Sequence, residues 1–199
     1  MLYNISIFER GTIMNEVLQV IEKRFSCRGY VGRAVEQDKL TAIAKAGLQA
    51  PSAMNLQPWQ IIVINNKAII DRLDDTAMEV IEANPDKSAY NRIMERGGKV
   101  FYNAPVLYLI LKDADSKWAD IDCGILTQNL CLAAASLDLD SVIVAMAGVP
   151  FNGPKGDELK KEIGWPDKKE FAMGVLVGYG NISKEPHETD SSKVTFLQA

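Results

Sequence analysis

The chain has 199 residues, of which 47% are apolar and 24% charged, the composition of a globular protein with a sizeable core. Lys and Arg number 22 against 26 Asp and Glu, a net charge of −4, which argues against a general nucleic-acid binder. No apolar run is long enough to span a bilayer. Three cysteines with no CxxC or metal-ligand spacing, and no secretion signal, point to a reducing cytoplasm and to no metal site.

Residues 1–13 read as an N-terminal arm or extension, with Met14 as an alternative start, and 14–199 as one domain. Val17, Leu18, Val20, Ile21 and Phe25 mark a first helix to about Arg24. Arg24, Ser26 and Arg28 follow at alternate positions, which in an extended segment face the same way. Two forked guanidiniums and a hydroxyl on one side suit a phosphate, although a basic cluster of this kind taken alone reads equally as a solvated edge. A helix over Val35–Gln49 leads into QAPSAMNLQPWQ, Gln49–Gln60. Pro51 and Pro58 stiffen this stretch, and Ser52, Asn55 and Gln57 supply it with donors and acceptors. It ends at the β-branched run Ile61–Ile64, a buried strand.

The remaining elements alternate. Lys67–Ala83 reads as a helix broken by Asn84-Pro85. Pro85–Tyr102 is polar and mixed, with Arg96 and Lys99 as candidate positive charges near a ligand, or as members of a solvated face. Ala104–Leu111 is a second buried strand. Trp118–Leu137 is a long helix that is apolar nearly all round, a pattern that calls for cover on every side, in a chain of this size from a second subunit. Ser141–Ala147 reads as a third strand, Gly156–Ile163 as a helix and Phe171–Val177 as the last strand. The tail from Asn181 is polar and holds Lys184, Lys193 and the single histidine, His187.

The loop APSAMNLQPW, Ala50–Trp59, resembles the signature loop of the nitroreductase family of FMN-dependent oxidoreductases, and Lys23–Arg28 resembles that family's N-terminal basic cluster. The resemblance runs from about Met14 to Tyr179. It implies an α+β sandwich with a mixed central sheet and helices on both faces, dimeric, built around the helix at Trp118–Leu137. It implies an FMN site at the dimer interface, with the phosphate on Arg24, Ser26 and Arg28. Pro51, Ser52, Ala53, Asn55 and Gln57 would contact FMN, partly from the partner. Backbone groups of Met146, Ala147 and Gly148 would face the flavin ring edge. NADH or NADPH would reduce the flavin, and a small electron-poor acceptor such as a nitroaromatic or quinone would reoxidise it, in ping-pong order and with no protein nucleophile. The chain departs from the family in two places: Leu137-Asp138-Leu139-Asp140 replaces a glycine-rich turn, and the tail lacks the usual arginine, so the third phosphate cation is unassigned. A non-catalytic flavin sensor, a specialised reaction on the same fold, and an interaction domain without flavin are the competing readings.

Overall fold

The computed structural model describes residues 14–197; the expected arm at 1–13 lies outside them. Helix α1 spans Glu16–Lys23 and is capped by the Asn15 side chain, which accepts from Leu18 N–H. α2 spans Gln37–Leu48, and β1 Trp59–Ile64. α3 runs over Lys67–Ala83, the span that its periodicity and Asn84-Pro85 predict, with Asn66 capping its first amides. A short α4, Ser88–Met94, occupies the stretch whose pattern was mixed, and ends where Gly97 and Gly98 take positive φ. β2 is Val106–Asp113, α5 Ala119–Ser136, β3 Asp140–Ile143, α6 Gly156–Glu162 and β4 Lys169–Gly178.

The strands form one sheet in the order β1-β2-β4-β3, and every neighbouring pair is antiparallel. β2 and β3 run in the same direction because α5 carries the chain back between them, yet β4 inserts between the two and pairs with both. The mixed character expected of the sheet is therefore confined to one parallel bridge, Ser26 to Ser141, beside β3.

Helices cover both faces, as expected. Leu107, Leu109 and Leu111 of β2 join one core layer with Ile70, Leu73 and Ala77 of α3, Ile93 of α4 and Leu159 of α6. Val106, Tyr108 and Ile110 alternate onto the opposite layer with Leu40 and Ile43 of α2 and Leu126 and Leu130 of α5. β2 is thus buried on both sides, which is why it reads as a continuous apolar run. Gly47 of α2 lets that helix close onto α5: a Cβ there would stand 2.6 Å from Leu130 Cδ2. No helix among the described residues is long and apolar enough to cross a membrane.

Candidate functional site

The basic segment follows α1 in extended backbone, beginning at Arg24 with φ −63 and ψ 127. Cys27 is fully buried and Phe25 packs against the first core layer, so Arg24, Ser26 and Arg28 lie on the other side, as their spacing predicts. Cys27 N–H donates to Ser141 O at 3.0 Å, which fastens the segment along the β3 edge. Burial raises the Cys27 thiol pKa, and its Sγ–H donates to Gly29 O, so this cysteine is a core residue. Arg24 walls a recess of about 110 Å³ with Phe25, Ala135, Asp140 and Ser141. The buried Ser141 Oγ has no nitrogen or oxygen partner, although the Cys131 thiol beside it offers a weak sulfur contact. Arg28 is exposed, its guanidinium within 3.5 Å of Ser26 O.

The loop before β1 has unusual backbone. Met54, Asn55 and Gln57 all take left-handed φ, at 52, 56 and 48°. Ser52 Oγ accepts from Gln57 N–H at 2.9 Å, and Asn55 Oδ1 accepts from the Gln57 side-chain amide at 3.0 Å. These polar groups are spent inside the loop, so they shape it. Pro51 is exposed, and Ala53 N–H donates to Asp122 Oδ1 of α5 at 3.1 Å.

Met146, Ala147 and Gly148 are not the end of a strand. β3 stops at Ile143, and Ala145–Asn152 is a 3-10 helix that holds Pro150. The last ladder bond is Val144 N–H to Gly174 O; beyond it Ala147 crosses over Gly174, where a Cβ would lie 2.5 Å from that of Ala147. Gly148 packs on the Phe171 ring, with no room for a side chain, since a Cβ would meet Cδ1 at 2.6 Å. Val144 caps this helix with no side-chain acceptor, so the amides of Ala145 and Met146 stay open to an acceptor from outside.

The three groups are not assembled within one chain. The basic segment and Met146–Gly148 follow the β3 edge. The loop lies at the far end of the β1 edge, level with Lys112 and Glu170, whereas Ser26 is level with Val177. Four strand spacings across, counting the Ser26 bridge outside β3, and seven residues along put the two corners roughly 30 Å apart, at about 4.8 Å per strand and 3.3 Å per residue. α5 joins these corners. Its first turn holds the loop through Asp122, and its last turn brings Ala135 beside Arg24.

Other candidate charges fall elsewhere. Lys99 is bound to Asp75 at 2.9 Å and to the buried Asp74 at 3.6 Å, and Arg96 is exposed. Lys184 and His187 are exposed, and Lys193 pairs with Asp190 of its own tail. A larger recess of about 190 Å³, walled by Val35, Asn65, Lys67, Asn103 and Pro105, contains none of the expected cofactor residues. Sequence reasoning missed Asp122, whose signal is an acidic residue inside an apolar helix. It also missed the clamp at Tyr179: Arg33 stacks at 4.0 Å on the Tyr179 ring, and Tyr179 O–H donates to Glu36 at 2.6 Å, which holds the Glu36 carboxyl pKa down to about 2.

Among known proteins, a nitroreductase with bound FMN from Desulfitobacterium hafniense is 39% identical, with a TM-score of 0.89 over 94% of this chain and 100% of its own. A nitroreductase with bound FMN from Bacteroides fragilis is 26% identical, with a TM-score of 0.83 over 93% of this chain and all of its own. The nitrobenzene nitroreductase of Ectopseudomonas oleovorans is 24% identical over 214 aligned positions, which cover 88% of this chain and 92% of that enzyme. The model of the nitroreductase family matches residues 21–179, and the chain belongs to that family.

Proposed function

We propose that the chain is an FMN-dependent oxidoreductase that works as a homodimer, with each site divided between two copies. One observation carries this reading: the phosphate-type donors and the polar loop occupy opposite corners of one sheet, and α5, which links them, keeps an uncovered apolar face. That face runs through Ile121, Gly124 and Ile125 and ends at the polar Gln128, and the nearby Trp118, Met54 and Leu56 are exposed as well. If two α5 helices pack antiparallel about a two-fold axis, the loop of one copy meets the basic segment of the other. An 18-residue helix is about 27 Å long, close to the roughly 30 Å between the corners. The outward apolar residues of α1, Val17, Leu18 and Ile21, extend the same uncovered surface.

The residues fit FMN. Arg24, Ser26 and Arg28 offer charge-assisted donors to a terminal phosphate. The open amides of Ala145 and Met146 suit acceptor atoms on a flavin ring edge. Pro51, Ser52, Ala53, Asn55 and Gln57 would present the partner's loop to the cofactor. FMN, when bound, supplies the redox chemistry between a reduced nicotinamide and an electron-poor acceptor such as a nitroaromatic or quinone. The protein's part is to orient the ring, exclude water and admit the two substrates by turns.

Extraction of the purified protein should release FMN, and steady-state rates with NADH or NADPH and a nitroaromatic or quinone should give parallel double-reciprocal lines. Recovery of FAD, or of no flavin after reconstitution, would reject the cofactor assignment. Intersecting lines would reject the shared site, and bound flavin with no acceptor ever reduced would favour a sensor.

A further inference from the structure

The loop Ser52–Gln57 is strained at three non-glycine positions, and strain of this kind persists only where the surroundings hold it. Its own hydrogen bonds are internal. Among the described residues, the one hydrogen bond that ties Ser52–Gln57 to the rest of the fold is Ala53 N–H to Asp122 Oδ1. Asp122 is 3% exposed, and its second oxygen is buried with no donor. A buried carboxylate half unsatisfied is costly. Its place in the first turn of α5 offsets part of that cost through the helix dipole. Asp120, in the same turn, gives the dipole a second charge at the surface and pairs with Lys112 at 2.6 Å. The buried acid is therefore not needed to charge the helix end. Ile121 and Ile125, on either side of Asp122 along α5, face outward, so the same turn presents an apolar surface to one side and a carboxylate to the loop on the other.

We propose that Asp122 is the positioning residue of the cofactor loop: by holding Ala53 N–H it locks the left-handed run, and through that run it sets the affinity for FMN and couples it to the packing of α5. This rests on the FMN reading above. The requirement is an acceptor atom at one place, rather than a charge. Asp122→Asn keeps an acceptor carbonyl and loses the charge. Asp122→Glu keeps the charge and moves the oxygens by a methylene, so the 3.1 Å bond is lost unless the loop shifts.

The experiment is fluorescence titration of the apo-forms of wild type, D122N, D122E and D120N with FMN, with thermal unfolding of each apo-form and amide exchange at Ala53–Gln57. D122N should bind within about threefold of wild type and D122E about tenfold more weakly, the upper end of what one misplaced hydrogen bond is worth. D122E should also show faster exchange in the loop, while D120N behaves as wild type. If D122N is the weak binder and D122E the tight one, the charge matters and the proposal fails. It fails equally if all four proteins bind alike, or if D120N weakens binding as much as D122E does. A wild type that takes up no FMN defeats the cofactor reading instead, and the exchange measurement still reports on the loop.

Discussion

The interface helix allows a quantitative test. Ile121 is 58% and Ile125 37% exposed in the single chain, so about half of each side chain is left for a partner to bury. Full burial of such a side chain contributes about 1.5–3 kcal/mol, hence about 1 kcal/mol for each of these, and about 4 kcal/mol for the four in a symmetric dimer. At about 1.4 kcal/mol per decade, the double variant Ile121→Ala/Ile125→Ala should weaken dimerisation by about a thousandfold. Both positions are on the surface of the folded chain, so its own unfolding free energy should change by less than about 0.5 kcal/mol apiece. Leu130→Ala is the control. Leu130 is fully buried against α2, so this variant should lose about 2–5 kcal/mol of folding stability instead. Sedimentation velocity over a dilution series gives the dimer constant, and FMN fluorescence on the same samples gives cofactor affinity. FMN binding should fall in step with the dimer fraction. A double variant as dimeric as wild type would refute the assignment of the α5 face. A monomer that binds FMN undiminished would refute the division of the site between two copies.

Arg24→Ala and Arg28→Ala should each raise the FMN dissociation constant about ten- to a hundredfold, since a charged hydrogen bond contributes roughly 1.5–3 kcal/mol, and should leave apo-protein stability almost unchanged. Arg28→Lys should restore only part of the affinity because a point charge lacks the fork; unchanged affinity in both alanine variants would remove the phosphate assignment. Asp74 gives a pH test. Burial raises its carboxyl pKa above the ordinary 3.8, against the backbone amides of Val100 and Phe101 that it accepts from and the nearby Lys99. A raised folded pKa favours the protonated form, so its contribution is present in full below 3.8 and is lost as pH rises through the folded value. Asp74→Asn keeps an acceptor for the amides without that loss. Its unfolding free energy relative to wild type should increase from pH 3 towards neutrality in denaturant titrations; a difference that does not vary with pH would contradict this.

Much of the architecture could be read locally. α3 was legible because its apolar positions recur at helical spacing and because Asn84-Pro85 sets its end. β2 was legible because a strand buried on both faces is apolar throughout. The extent of α5 followed from the length of its apolar run, and the outward side of Arg24, Ser26 and Arg28 from a period of 2, both properties of the chain itself. The signature loop was recognisable as a string of residues. What the loop is fastened to was not, because its anchor Asp122 is 69 positions away, and a hydrogen bond across that distance leaves no local pattern. The insertion of β4 between β2 and β3 was hidden for the same reason: strand order is a choice among long-range pairings that a strand's own residues do not encode. Met146 and Ala147 looked like strand because an apolar run reads alike in a strand and in a buried turn; only the packing of Ala147 over Gly174 ends the ladder and bends the chain. The placement of the two half-sites at opposite corners is likewise tertiary, since it depends on where the edges of the sheet fall once every strand has found its neighbour.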